Sequence, residues 1–283
     1  MNIHNDDCYS VYHLQLDSPT LFDDCVDATF VLTMEGSTRA NQYMEQLYKF
    51  RPTKNVYIIF NKGYKTCDKL DCLGKYKINN SRFDINDAYF YMLKFSKQMN
   101  FKYVLNLEDD FEFVDTIIND LSHSKEICRF IKSKNPNVYS LGNIILISPS
   151  FLSVHRKAFK LAPAHSLILK VDSVFDILEK EMCKNEGRNL DSLHVDIHII
   201  SSLSDKYYYN KPLCTQKFVN TENRNIWLDN KFLSNILLFF IKILKLDSQQ
   251  NGWFFVYIIY DFLILFISLI IFMIFTKNMK RIF

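Results

Sequence analysis

Between Trp253 and Phe275 the chain runs through 23 residues, WFFVYIIYDFLILFISLIIFMIF, with a single charge at Asp261. At about 1.5 Å per helical residue, such a run can cross a hydrocarbon core of about 30 Å. It is followed by Lys277, Lys280 and Arg281. The pattern predicts a C-terminal transmembrane helix over 253–275, with membrane lipid as a partner. Residues 231–250 hold a second apolar stretch, broken by Lys242 and Lys245, which reads as an amphipathic connecting helix. The opening MNIHNDDC places acids where a cleaved signal needs a basic start and an apolar core. The expectation is a single-pass C-terminal anchor with the catalytic part in the cytosol. The positive-inside rule opposes it, because the basic cluster beyond the span prefers that same side.

Charge and cysteines narrow the remainder. Lys and Arg total 34 against 31 Asp and Glu, a formal +3 that is too weak a field to make nucleic acid the expected partner. The seven cysteines are odd in number, scattered, and include no C-x-x-C pair. They read as free thiols of a reducing compartment, not as a disulfide framework or a zinc knuckle.

Within residues 28–230 the periodicity alternates, and residues 1–27 read as an N-terminal extension. Ala28–Met34 (ATFVLTM) is a short apolar, β-branched run, and residues 39–50 then place Ala40, Tyr43, Met44, Leu47 and Phe50 at helical spacing. Residues 56–60 (VYIIF) read as a second buried strand, and polar residues 61–82 as a loop. Asp84 suits a helix start ahead of the stripe Ile85, Ala88, Tyr89, Met92 and Leu93. Residues 101–107 (FKYVLNL) make a third strand. Continuous apolar strands alternating with helices predict an α/β fold with a mostly parallel sheet flanked by helices.

The chemistry begins where that third strand ends, at Glu108-Asp109-Asp110. In open parallel sheets ligands bind beyond the carboxyl ends of the strands. Glu108 and Asp110, two apart on an extended segment, can share a divalent cation through oxygen atoms, and Mg²⁺ or Mn²⁺ held there would neutralise a diphosphate leaving group. The alternative is a solvated turn or a helix cap. Further on, alternation in His194-Val195-Asp196-Ile197-His198 puts His194, Asp196 and His198 on one face, where they would complete a metal shell, with His198 as its ligand, or supply a base. Alternatively they are exposed residues of an edge strand. His165 is a weaker candidate, since a lone histidine is more often a structural group.

A first strand with the turn Thr33-Met34-Glu35-Gly36-Ser37-Thr38-Arg39, a helix, a second strand, D-I-N-D-A on a helix, and L-E-D-D-F together resemble a GT-A-type glycosyltransferase. The resemblance covers residues 28–228 and is strongest to glycosyltransferase family 25 and to glycosyltransferase-like proteins of large DNA viruses. It implies a GT-A-like fold and a nucleotide-diphosphate sugar as donor. The first strand and its turn, with Thr33, would receive the nucleotide, with Arg39 near the diphosphate or base and Asp87 near the nucleoside. Glu108, Asp109 and Asp110 would act as a D-x-D-like metal site, and Asp196 as the general base or an acceptor-binding carboxylate. The stretch from Lys211 to Trp227 resembles the closing segment of the viral group. In it Gln216, Asn223 and Trp227 suit a sugar or diphosphate rim, because amides read hydroxyls and an indole stacks on a sugar face; the alternative is an irregular, capped surface loop. The expected activity is transfer of a sugar to the hydroxyl of a glycan, protein or lipid acceptor. The competing expectations are a catalytically silent membrane scaffold of the same fold and a metal-dependent phosphodiester hydrolase.

Overall fold

A computed structural model describes residues 6–142, 144–147, 153–158, 160–162, 165–184, 195, 200–217, 235–236, 239–240, 242–243, 245 and 250–279. The chain opens with strand β1 (Tyr9–Gln15), then β2 (Ala28–Met34), helix α1 (Ala40–Phe50), β3 (Asn55–Asn61), α2 (Ser81–Gln98) and β4 (Tyr103–Glu108). Next come β5 (Phe111–Phe113), α3 (Thr116–Asn119), α4 (Ser122–Lys134), β6 (Val138–Ser140), β7 (Ile144–Ile147), β8 (His155–Lys157) and β9 (Lys160–Ala162). The order continues with β10 (Ser166–Lys170), α5 (Val171–Glu179), β11 (Lys206–Tyr209), β12 (Cys214–Gln216) and α6 (Gln250–Met279).

Local chemistry sets the element limits near the site. The side chain of Asn80 caps α2 by accepting from the Phe83 amide, and Asp84 lies in the first turn, where the helix dipole favours an acid. Helix α1 stops at Arg51, whose left-handed conformation returns its amide to the Leu47 carbonyl. The buried stripe of α1, Tyr43, Leu47 and Phe50, is that of a helix laid on a sheet.

Eight strands form one sheet in the order β1-β3-β2-β4-β10-β6-β11-β8. Strands β2, β3 and β4 are parallel, as are β6 and β11, whereas β1–β3, β4–β10, β10–β6 and β11–β8 are antiparallel. The mostly parallel, GT-A-like sheet expected from sequence is therefore corrected to a mixed α/β fold with a mostly antiparallel eight-stranded sheet. The physical reason is that an apolar run records burial on both faces but carries no strand direction. Strand β10 enters beside β4 head to tail, and β1 comes from the segment ahead of residue 28.

Both faces of the sheet are covered. On one, Val31, Ile58 and Leu107 pack with Tyr43 and Leu47 of α1 and with Ile127 and Ile131 of α4. On the other, Phe30, Ile59 and Leu169 pack with Tyr89, Met92 and Leu93 of α2 and with Val174 and Leu178 of α5. Helices α1 and α2 thus lie on opposite faces. The crossover after β2 moves to one side of it and the crossover after β3 returns to the other. The strand order reverses between β2 and β4, and that is where an open α/β sheet leaves a crevice at its carboxyl ends.

Two further expectations are corrected. The segment read as a membrane span is helical within α6, but among the described residues no helix is long and apolar enough to cross a membrane. The one charge in that run is not stranded in hydrocarbon. The carboxylate of Asp261 lies 2.6 Å from the guanidinium of Arg156 in β8, with both side chains largely buried, so α6 is docked on the sheet by an ion pair. Phe262, Phe266 and Phe272 on the same helix are exposed. The C-terminal anchor and the localisation built on it are withdrawn. The cysteines are also not free thiols of a reducing compartment. Cys8–Cys67, Cys25–Cys128 and Cys72–Cys183 are disulfides, with Cα separations of 5.8, 5.1 and 5.5 Å, and Cys214 is free and buried. The partners are 59, 103 and 111 residues apart, so no short motif announces them.

Candidate functional site

The carboxyl ends of β2 and β4 bring together residues that lie some seventy positions apart in the chain. Asp109 follows β4 directly, and its carboxylate accepts from the hydroxyls of Thr33 (2.8 Å) and Ser37 (2.9 Å), while Arg39 Nη1 stands 2.5 Å from Oδ1. Thr33 is the next-to-last residue of β2, Ser37 lies in the turn after Gly36, whose φ of 76° favours glycine, and Arg39 immediately precedes α1. The arginine is therefore held at the carboxyl-end edge of the sheet by a carboxylate that follows the neighbouring strand. Among the described residues no other carboxylate pairs with it, so the rest of its five-donor fork is available to an anion.

The other acids have separate partners. Asp110 is buried, and Gln216 Nε2 of β12 donates to it at 3.1 Å. Strand β12 is fixed there by pairing with β5 and by the Lys217 amide donating to the Asp110 carbonyl. Burial first, and then the charge of Asp109, push the Asp110 carboxyl up to about 7, against the opposing pull of Gln216 and Arg39. Glu108 accepts from the Tyr89 hydroxyl at 3.3 Å, and that hydroxyl accepts from Asn106 Nδ2 at 2.7 Å.

These separate commitments correct the metal-site expectation. Among the described residues no group of three or more His, Cys, Asp and Glu is placed to hold a metal ion. Alternation along an extended segment gives Glu108 and Asp110 a common side only if the strand continues, but the backbone turns at Asp109 and Asp110 between β4 and β5. The residues do not fit a preformed Mn²⁺ or Mg²⁺ centre, and no chemical step is routed through one below.

Of the other sequence candidates, Asp87 is buried and committed elsewhere, accepting from the Tyr9 hydroxyl at 2.6 Å beside Lys69 Nζ at 3.5 Å. Asp196, His198, Asn223 and Trp227 lie outside the described residues. Val195, adjacent to Asp196, is buried, and its amide donates to Asn86 Oδ1 in the second turn of α2. That turn is at the carboxyl-end side of the sheet, because α2 follows β3. Sequence reasoning passed over Ser37, Tyr89 and Lys69. Ser37 stands inside the strand-to-helix turn already quoted and could have been found there. Tyr89 reads as one more apolar position of its helix, and Lys69 as one lysine in a polar loop.

The Asp110 shift makes a testable statement about stability. The folded pKa lies above the unfolded value, so between about pH 4 and 7 the folded state holds a proton that the unfolded state has released, and stability falls as pH rises through that window. Asp110→Asn should therefore raise the Tm at pH 8 and lose that advantage near pH 4. Equal melting differences at the two pH values would show that the carboxyl is not held protonated.

No family model matches this chain, and no curated protein matches it. Among solved structures it is similar to the crystal structure of A197 from STIV, at 14% identity and a TM-score of 0.37, over 64% of this chain and 80% of that one.

Proposed function

We propose that the protein is a glycosyltransferase that takes a nucleotide-diphosphate sugar in the crevice between β2 and β4 and transfers the sugar to an acceptor hydroxyl. The observation that carries this reading is the fixed guanidinium of Arg39, set at the switch point of the sheet by Asp109, Thr33 and Ser37. A planar fork of donors recognises two phosphate oxygens at once, and a cation already oriented stabilises the charge that develops on a leaving diphosphate without reorganising during the reaction. Gln216 of β12 donates to Asp110, the residue after Asp109, and so lies close to the same group. Asp196 is the carboxylate assigned to deprotonating the acceptor if the reaction inverts.

The test is release of nucleoside diphosphate from a panel of nucleotide sugars, run with and without Mn²⁺ and Mg²⁺ so that any cation brought in by the diphosphate is read separately. Arg39→Ala should lower kcat/KM by about a hundredfold or more, the usual scale for losing one charge-stabilising donor. Asp196→Asn should lower kcat by about a hundredfold while leaving donor affinity in place. A wild-type protein that turns over no nucleotide sugar is the silent scaffold, and the transferase reading then fails.

A further inference from the structure

The two edges of the eight-stranded sheet are built differently. At one, β8 is three residues long, and two of them, Arg156 and Lys157, carry charge. At the other, β1 pairs with β3 in unbroken register over seven residues, YSVYHLQ, with no Asp, Glu, Lys or Arg, no proline and no bulge. Natural sheets keep an open edge from pairing by shortening it, charging it, bulging it or placing proline on it. Strand β8 carries two of these guards and β1 carries none. Among the described residues no strand lies beyond β1.

Which backbone groups of β1 face outward follows from the bonds at the two ends of its pairing with β3. The Leu16 amide donates to the Lys54 carbonyl, and the Cys8 carbonyl accepts from the Lys62 amide. Both continue the register that matches Tyr9 with Asn61 and Gln15 with Asn55. Bonded and unbonded positions alternate along an antiparallel pair, so Ser10, Tyr12 and Leu14 turn their N–H and C=O groups toward β3. Tyr9, Val11, His13 and Gln15 turn theirs away from the sheet, where among the described residues no backbone group meets them. Side chains alternate too: Leu14 is buried in the layer that holds α1, while Tyr12, on the same face, is 54% exposed.

We propose that β1 is a self-association site, at which a second copy of this chain pairs its own β1 antiparallel across a two-fold axis through Tyr12. A two-fold strand pair must match one set of outward-facing residues with itself. Centring on Tyr12 does so for all of them: Tyr9 of each copy meets Gln15 of the other, Val11 meets His13, and each pair exchanges two backbone hydrogen bonds. Centring on Val11 or on His13 leaves Gln15 or Tyr9 unmatched. Tyr12 then faces its own copy at a non-hydrogen-bonded position, where Cα atoms approach to about 4.5 Å and the exposed rings cover one another. With no Asp, Glu, Lys or Arg inside the ladder, pairing like with like brings no like charges together. Only beyond its ends do they approach, Asp7 of one copy toward Asp17 of the other, both exposed. This self-matching favours a second copy over an unrelated extended peptide. Strand β3 stands between β1 and β2, so the association is independent of the nucleotide-sugar reading.

Sedimentation equilibrium of the full, disulfide-intact chain between about 1 μM and 1 mM, the range in which small interfaces associate, should show reversible dimers. Tyr12→Lys and Tyr12→Glu each set like charges on the axis and should weaken the dimer about tenfold or more without lowering the Tm. Mixing the two should restore a heterodimer, a result that lost packing cannot produce. Val11→Pro should weaken the dimer as well, because proline removes an outward N–H and leaves the bonds to β3 in place. Amide exchange read by NMR should slow with rising concentration at Tyr9, Val11, His13 and Gln15, while Ser10, Tyr12 and Leu14 exchange slowly throughout. Added salt should tighten the dimer by screening Asp7 from Asp17, and a dimer weakened by salt contradicts the register. A chain that stays monomeric over this range overturns the proposal. So does a Tyr12 mixture that forms no heterodimer, or a dimer that survives both Tyr12 variants, which would place association on another surface such as the exposed apolar residues of α6. Should a variant fail to fold, the exchange pattern of the wild type decides alone, since uniform protection along β1 at every concentration contradicts a ladder formed on association.

Discussion

Replacing Lys69 with Met should lower the stability of the fold by about 3–5 kcal/mol, the usual effect of leaving buried charges without their partner. The ammonium of Lys69 is fully buried. It lies 2.6 Å from Asp84 Oδ1, 2.6 Å from Asn61 Oδ1, 2.7 Å from the Tyr9 hydroxyl and 3.5 Å from Asp87. It also sits over the Tyr9 ring at 4.1 Å from the centroid. One cation thus balances two buried carboxylates from α2 and ties together β1, the end of β3 and the polar segment after it. Methionine preserves the stem but leaves both acids facing each other in an apolar setting. The expected fall in Tm is on the order of 10 °C for a chain of this size. Adding Asp84→Asn and Asp87→Asn to Lys69→Met should restore much of it, because the orphaned charges are then gone. A single variant that melts within a degree or two of wild type would show that the cluster is hydrated and not buried.

Reduction should be comparably damaging. Closing loops of 59, 103 and 111 residues restricts the unfolded chain by about 4–5 kcal/mol per disulfide in the chain-entropy picture. Two of the three, Cys8–Cys67 and Cys72–Cys183, flank Lys69 and clamp its segment to the start of β1 and to the turn after α5. Melting in excess dithiothreitol should lose cooperativity or shift far downward, and peptide mapping without reductant should recover the three linked pairs. Cys214, buried with its thiol pushed up to about 12 by burial, should resist alkylation until the protein unfolds. Rapid labelling of seven thiols in the folded protein would contradict the pairing.

The cysteine pattern shows why part of this molecule was not legible in its sequence. The runs 28–34, 56–60 and 101–107 coincide with β2, β3 and β4, because burial on both faces writes a continuous apolar signature into the chain. The direction of β10, whose Ser166 pairs with Leu107 of β4, and the pairing of Cys72 with Cys183, 111 residues apart, are set by tertiary approach between distant parts of the chain and leave no local trace. At the site, Arg39 and the three acids stand out because charge at the ends of apolar strands is unusual. Their use does not follow from composition, since three consecutive carboxylates read as a metal site until each is seen with its own partner: Tyr89, Arg39 and Gln216. Asp261 gave the opposite lesson. Read as a lone charge within a membrane span, it is instead the contact that docks α6 on Arg156.

The claim at the centre of this account is that the ends of β2 and β4, joined through Arg39 and Asp109, form the diphosphate site. Amide hydrogen exchange of the disulfide-intact protein with and without UDP or GDP tests it directly. Saturating nucleotide should slow exchange across residues 33–39 and 108–113, and in β12 around Gln216, and Arg39→Ala should abolish that protection. Protection confined to other parts of the chain, or protection that survives Arg39→Ala, would contradict the assignment.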